Sequence, residues 1–191
     1  MPSLKFFLEF VRHPIQVGAV LPSSAALCRT LAEWIDYASA KAMAEFGPGT
    51  GAATPHILER LQPGTRFFAI ERSPDFADIF RERFPNVTLY EDSAVTVPAI
   101  CEKEGIDQLD AVLCGLPWAS FPESLQNELL EAIMKVLRPG GQFVTFAYLQ
   151  GLPLPAGQRF RKKLRDYFSE VGRSPIVWRN VPPAFIYRCR R

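Results

Sequence analysis

Glu45-Phe46-Gly47-Pro48-Gly49-Thr50-Gly51 is the stretch that decides the fold of this chain. The apolar run Ala42-Met43-Ala44 precedes it, and a helix-like segment from Ala52 to Leu61 follows. Strand, glycine turn and helix N-terminus, in that order, form a site for a nucleotide-like ligand. Glycines at 47, 49 and 51 let the backbone come close to that ligand, where a Cβ would clash. Twenty residues past Gly51, a second apolar run, Phe67-Phe68-Ala69-Ile70, ends in Glu71. An acidic residue at the tip of a second strand is placed to accept both hydroxyls of a ribose. Together the two stretches predict a bound nucleoside.

Working outward, short apolar segments alternate with longer helical ones. Strands are expected near 42–46, 67–71, 87–90, 109–114 and 142–148, and helices near 52–61, 75–84, 94–104 and 123–137. Turn signals separate them: Gln62-Pro63-Gly64, Phe84-Pro85-Asn86 and Arg138-Pro139-Gly140-Gly141. Such alternation predicts an α/β domain with a mostly parallel sheet and helices on both faces. Residues 156–170 read as a further helix. Residues 174–179 and 183–189 read as two closing strands, an antiparallel hairpin at a sheet edge, which brings the sheet to seven strands. Segments 3–12 and 24–38 look helical. The expectation is one domain over 1–191, with a helical extension over 1–40 and a Rossmann-like core over 41–191.

At 191 residues, with 48% hydrophobic and 22% charged, the composition is that of an ordinary globular domain. No apolar run approaches the roughly 20 residues that span a bilayer, and no secretory cleavage signal is visible. Cys28, Cys101, Cys114 and Cys189 are scattered without CxxC spacing, which predicts reduced thiols, no zinc site and a cytoplasmic protein. Charge is uneven. Residues 1–158 carry 12 basic and 18 acidic side chains, whereas 159–191 carry 10 basic and 2 acidic. A basic C-terminal face suits phosphates on lipid or nucleic acid; a solvated helix with a charged tail is the plainer explanation.

The glycine spacing is G-x-G-x-G rather than the G-x-G-x-x-G of a dinucleotide site. A carboxylate at Glu45 would repel a pyrophosphate and suits a cationic ligand, such as the amino-acid end and sulfonium of S-adenosylmethionine. Asp92-Ser93-Ala94 follows the third strand and is placed to meet an adenine, or simply to cap the next helix. Cys114-Gly115-Leu116-Pro117-Trp118 follows the fourth strand. Nothing basic flanks Cys114, so a buried thiol is favoured over a nucleophile.

This ordered set, EFGPGTG, Glu71-Arg72, DSA and GLPW, resembles the motifs of class I S-adenosylmethionine-dependent methyltransferases over residues 42–148. Phe7, Phe10, the run from Pro14 to Ser24, and Trp178-Arg179-Asn180-Val181-Pro182-Pro183-Ala184-Phe185 extend the resemblance to bacterial phospholipid N-methyltransferases, which act on phosphatidylethanolamine. The resemblance implies that Glu45, Gly47, Gly49, Thr50, Gly51, Glu71, Arg72, Asp92, Ser93, Ala94, Cys114, Gly115 and Leu116 line the cofactor. A sister family, the rRNA adenine N6-dimethyltransferases, carries Asn at the position of Gly115. Its amide holds a weakly nucleophilic exocyclic amine, a task an alkyl amine does not set. The short segment after the core also leaves no room for a separate RNA-binding domain.

Two segments point toward a membrane surface. Leu4, Phe7, Leu8 and Val11 share a helical face, widened by Phe6 and Phe10 and flanked by Lys5 and Arg12. Such a helix lies in a lipid interface or packs on the core. Arg159, Arg161, Lys162, Lys163 and Arg165 form a basic run suited to anionic headgroups. His13 reads as incidental. For chemistry the expectation is in-line displacement by a lipid amine, with Tyr148 orienting the amine or relaying its proton. Trp118 and Tyr148 would stack around the ammonium, and Arg159, Lys162 and Lys163 would meet the headgroup. The expected location is peripheral, on the inner face of the cytoplasmic membrane. An RNA or protein N-methyltransferase is the alternative.

Overall fold

The computed structural model describes residues 23–191. The helix expected over 3–12, His13, and the stretch from Pro14 to Pro22 lie outside the described residues. Within them, α1 (Ala25–Glu33) begins where the Ser24 hydroxyl accepts a hydrogen bond from the Leu27 backbone N–H at 3.2 Å, a side-chain cap on a donor the helix itself leaves unpaired. The helix stops at Glu33, short of the expected 38.

The chain then alternates: β1 (Ala42–Phe46), α2 (Thr54–Leu58), β2 (Arg66–Glu71), α3 (Pro74–Arg83), β3 (Thr88–Glu91), α4 (Val97–Glu104), β4 (Leu109–Cys114), α5 (Glu123–Val136), β5 (Leu137–Tyr148), α6 (Pro155–Tyr167), β6 (Glu170–Arg173) and β7 (Ala184–Arg190). The seven strands form one sheet in the order β3-β2-β1-β4-β5-β7-β6. Strands β1 to β5 are parallel, and β7 runs antiparallel between β5 and β6. Strand β1 is buried at all five positions, as expected of a parallel strand covered on both faces.

Side chains alternate between two cores. Ala44, Phe46, Ile70, Val112, Cys114 and Phe143 face α4, α5 and α6. Met43, Ala111, Leu113, Val144 and Ile186 face α1 and α2. Each fully buried Val, Leu, Ile, Phe or Met among these contributes about 1.5–3 kcal/mol.

Two expectations need correction. The residues read as a closing strand over 174–179 are a loop that meets β7 at two points: Ser174, whose N–H donates to the Ile186 carbonyl and whose hydroxyl accepts from the Ile186 N–H, both at 2.9 Å, and the isolated bridge of Val177 to Ala184. The actual edge strand is β6, which overlaps the segment expected as helix 156–170 only at Glu170; that helix ends at Tyr167. Pro175 removes one of the donors a continuous ladder needs. Helix α2 is also far shorter than 52–61, with Pro55 in its first turn and no side-chain cap.

Candidate active site

Because β3, β2, β1 and β4 are parallel neighbours, the four motifs that follow them arrive at one edge of the sheet. Backbone hydrogen bonds extend the ladders past the strand ends: Gly47 N–H to Ile70 C=O at 2.8 Å, Gly115 N–H to Phe46 C=O at 2.8 Å, and Asp92 N–H to Glu71 C=O at 3.1 Å. The structure thus brings together the glycine loop, Glu71-Arg72, Asp92–Ala94 and Cys114–Leu116.

The glycines are required for different reasons. All three in the loop have positive φ. A Cβ on Gly51 would fall 2.2 Å from the Phe84 ring, and one on Gly47 would fall 2.6 Å from Leu116. A Cβ on Gly49 would meet nothing within 4 Å. Gly47 and Gly51 therefore serve packing, and Gly49 borders open space. Gly115 is closed in: its Cβ would lie 2.7 Å from the Gly47 carbonyl oxygen.

Glu71 is 8% exposed, and both carboxylate oxygens are anchored. Oε2 accepts from the Gly49 N–H at 3.0 Å and Oε1 from the Ser73 N–H at 2.9 Å. Burial pushes its pKa up, while these backbone donors pull against that shift. The carboxylate fixes the position of the glycine loop and keeps lone pairs for further donors.

Glu45 was expected as a charge at the loop entrance. Instead it is 3% exposed on the α1 face of β1, where it accepts a hydrogen bond from the Thr54 hydroxyl at 2.8 Å. Burial raises its pKa to about 7, partly offset by Thr54 and reinforced by the charge of Glu71. The strand alternation that places Phe46 in one core puts Glu45 in the other.

Asp92 is exposed and accepts from the Ser93 N–H at 2.6 Å. Ser93 in turn caps the short turn at Ala94–Thr96 by accepting from Val95 N–H at 3.4 Å. Arg72 is exposed, Thr50 is half-buried, and the Thr50 carbonyl accepts from Arg83. Cys114 is fully buried, and burial raises its thiol pKa to about 12, so it stays protonated and is no nucleophile. Leu116 packs over Gly47.

The expected aromatic cage does not form. Trp118 is 2% exposed and stacks on Phe160 with ring centroids 5.0 Å apart, inside the core on the α5 and α6 side. Tyr148 packs half-buried on the opposite face, edge-on to Phe146 at 5.6 Å. The sheet separates the two rings. Tyr148 does sit at the right edge: Cys114 ends β4 opposite Thr145, and Tyr148 lies three residues further on.

Of the basic run, Lys163 is a structural cation. Its ammonium meets Glu123 at 2.9 Å and also Asn127, and its side chain is only 12% exposed. Lys162 is 77% exposed beside Asp166 at 2.8 Å, and Arg159 is exposed. Sequence reasoning passed over Thr54 and Phe84. Thr54 follows the glycine loop closely enough to have been suspected as a partner for Glu45. Phe84 lies 33 residues from Gly51, and no local signal links them. Among the described residues no three His, Cys, Asp or Glu side chains gather to hold a metal.

The site fits S-adenosylmethionine: open space at Gly49, an immobilised carboxylate at the second strand tip, and an exposed carboxylate at the third. Comparison with known proteins agrees. A methyltransferase-domain family model matches residues 44–143. An ornithine lipid N-methyltransferase from Singulisphaera acidiphila is 38% identical over 97% of this chain and 95% of its own length. A ribosomal RNA small subunit methyltransferase A from Acidobacterium capsulatum is 34% identical, over 45% of this chain and 30% of its own. Among solved structures, the O-methyltransferase TomG from Streptomyces achromogenes, in complex with SAM, superposes with a TM-score of 0.67 over 97% of this chain and 88% of its own, at 18% identity. An O-methyltransferase from Bacillus cereus in complex with SAH gives 0.66 over 98% and 90%, at 16% identity. The chain belongs to the class I S-adenosylmethionine-dependent methyltransferases.

Proposed function

We propose that this enzyme methylates the amine of a membrane lipid headgroup. The observation that carries the proposal is the similarity, along 97% of the chain, to a relative named for ornithine lipid N-methylation. The motif resemblance adds phosphatidylethanolamine as an acceptor. Both lipids offer an alkyl amine on an acyl-chain anchor.

The local geometry at Gly115 favours an alkyl amine over an adenine. An Asn there would have to push its Cβ into the Gly47 carbonyl, so this loop has no room for the amide that a planar amine needs.

When bound, S-adenosylmethionine supplies an electrophilic methyl group on a sulfonium. The chain supplies position. Gly49 would give the backbone approach, Glu71 holds the loop and would offer acceptors to the ribose, and Asp92 would meet the adenine. Proximity and orientation then carry most of the acceleration. The incoming amine, with a pKa of about 10.4 when exposed, must lose a proton first, and partial desolvation at the crevice lowers that pKa. Burial raises the Tyr148 phenol above its ordinary value, so Tyr148 stays protonated at neutral pH. It orients the amine by accepting a hydrogen bond and does not act as the base.

The test is to supply S-adenosylmethionine with ornithine lipid or phosphatidylethanolamine in mixed micelles and weigh the products. Methyl additions on either amine are expected. Neither lipid gaining a methyl would remove the proposal. Tyr148→Phe should lower turnover up to roughly tenfold, the loss of one orienting hydrogen bond of about 0.5–1.5 kcal/mol, with cofactor affinity unchanged. Equal turnover would reduce Tyr148 to packing.

A further inference from the structure

We propose that the loop between β6 and β7, residues 174–183, is an interfacial anchor that seats the crevice edge of the sheet on a lipid bilayer, with Trp178 and Val181 entering the headgroup layer. The proposal rests on the lipid-amine reading above and adds the surface that brings enzyme and lipid together.

Three of the most exposed large apolar side chains in the described residues lie at one edge: Leu154 at 54%, Trp178 at 68% and Val181 at 69%. Topology places that edge. β7 is antiparallel to β5, and its first residue, Ala184, pairs with Tyr148. The loop leading into β7 therefore lies at the same end of the sheet as the cofactor loop. Leu149 N–H donates to the Pro183 carbonyl at 2.8 Å, which joins the segment leading to Leu154 to the end of this loop. Leu154 itself caps α6.

The loop is pinned. Asn180, 3% exposed, accepts from Ser24 N–H at 2.9 Å through its side-chain oxygen and donates to the Pro182 carbonyl at 2.7 Å. Val177 N–H reaches the Ala184 carbonyl at 2.7 Å. With Asn180 locked inward, Trp178 and Val181 are held outward. A folding chain ordinarily buries such side chains. Indole is at home at a membrane interface, where its body meets acyl chains and its N–H meets water.

Charge points to the same occupant. Arg179 stands exposed between the two apolar residues, and Arg159 lies exposed near the start of α6. Cations near an anionic leaflet add attraction to apolar burial. The proposed acceptor has its acyl chains in a bilayer, so this edge must meet that surface for the amine to reach the crevice. Among the described residues no helix is long and apolar enough to cross a membrane.

The experiment compares wild type with Trp178→Ser/Val181→Ser in sedimentation with vesicles containing ornithine lipid and an anionic lipid. Turnover is measured on those vesicles and on a short-chain, monomeric amine lipid, alongside cofactor affinity. The double variant should lose at least tenfold in vesicle binding and a similar factor in vesicle turnover. It should keep wild-type turnover on the monomer and wild-type cofactor affinity. Equal vesicle binding by the two proteins overturns the anchor while leaving the lipid-amine reading intact. Loss on vesicles and monomer alike also overturns it, placing the loop in the acceptor pocket instead. If wild type methylates neither lipid form, the underlying reading fails and the anchor with it.

Discussion

Glu71 couples two tasks in one side chain. It pins the Gly49 and Ser73 backbone, and in our proposal it also offers acceptors to the ribose. Glu71→Ala should weaken S-adenosylmethionine binding by roughly 1.5–3 kcal/mol, the range for hydrogen bonds to a charged group. Calorimetry showing unchanged affinity would take Glu71 out of the site. Glu45 gives a second prediction, through pH. Its folded-state pKa of about 7 stands above the ordinary 4.5, so folding favours the protonated form. That contribution is present below about pH 4.5 and is lost as pH rises through 7. The shift corresponds to about 3 kcal/mol. Glu45→Gln, neutral throughout, should flatten the fall in stability between pH 4.5 and 7 in denaturant unfolding. A variant with the wild-type pH slope would show that Glu45 is ionised in the folded protein.

At the scale of elements, the glycine loop separates packing from ligand contact. Gly49→Ala has open space and should cost only about 1–2 kcal/mol of stability, for its left-handed backbone, while cofactor affinity falls further. Gly115→Ala must displace the Gly47 carbonyl and should lose about 1–3 kcal/mol of stability together with affinity. Melting curves and titrations of both variants test the pair; identical profiles would mean that Gly49 does not face the ligand. Much of this was legible in sequence. Strands β1 and β4 are apolar runs bounded by turns, and their limits fall where the pattern put them. The closing strands were harder. Ser174-Pro175-Ile176-Val177-Trp178-Arg179 looks more strand-like than Glu170-Val171-Gly172-Arg173, yet the polar segment forms β6, because an edge strand needs few apolar side chains. Trp118 was misread for a related reason. Its motif places it beside the crevice, but the face it takes depends on Phe160, 42 residues away. Lys163 likewise looked like its exposed neighbours until α5 brought Glu123 and Asn127 against it.

For the whole molecule, a sheet with two covered faces leaves its strand ends as the surface where chemistry is assembled. The cofactor motifs, Tyr148 and the exposed apolar loop all lie at that one edge. The basic excess over residues 159–191 does not all face outward, since Lys163 is paired inside; Arg159, Lys162 and Arg179 remain exposed. Such a surface should bind anionic vesicles more tightly than neutral ones and weaken as salt screens it; sedimentation across ionic strength reads this directly, and an absence of salt dependence would assign those cations to solvation alone. The central claim, that the methyl group goes to a lipid amine, is tested most directly by supplying S-adenosylmethionine with a labelled methyl to the full-length protein in the presence of both aminolipid vesicles and undermethylated ribosomal RNA. The account predicts label in the lipid fraction and none in the RNA; label in the RNA alone would contradict it.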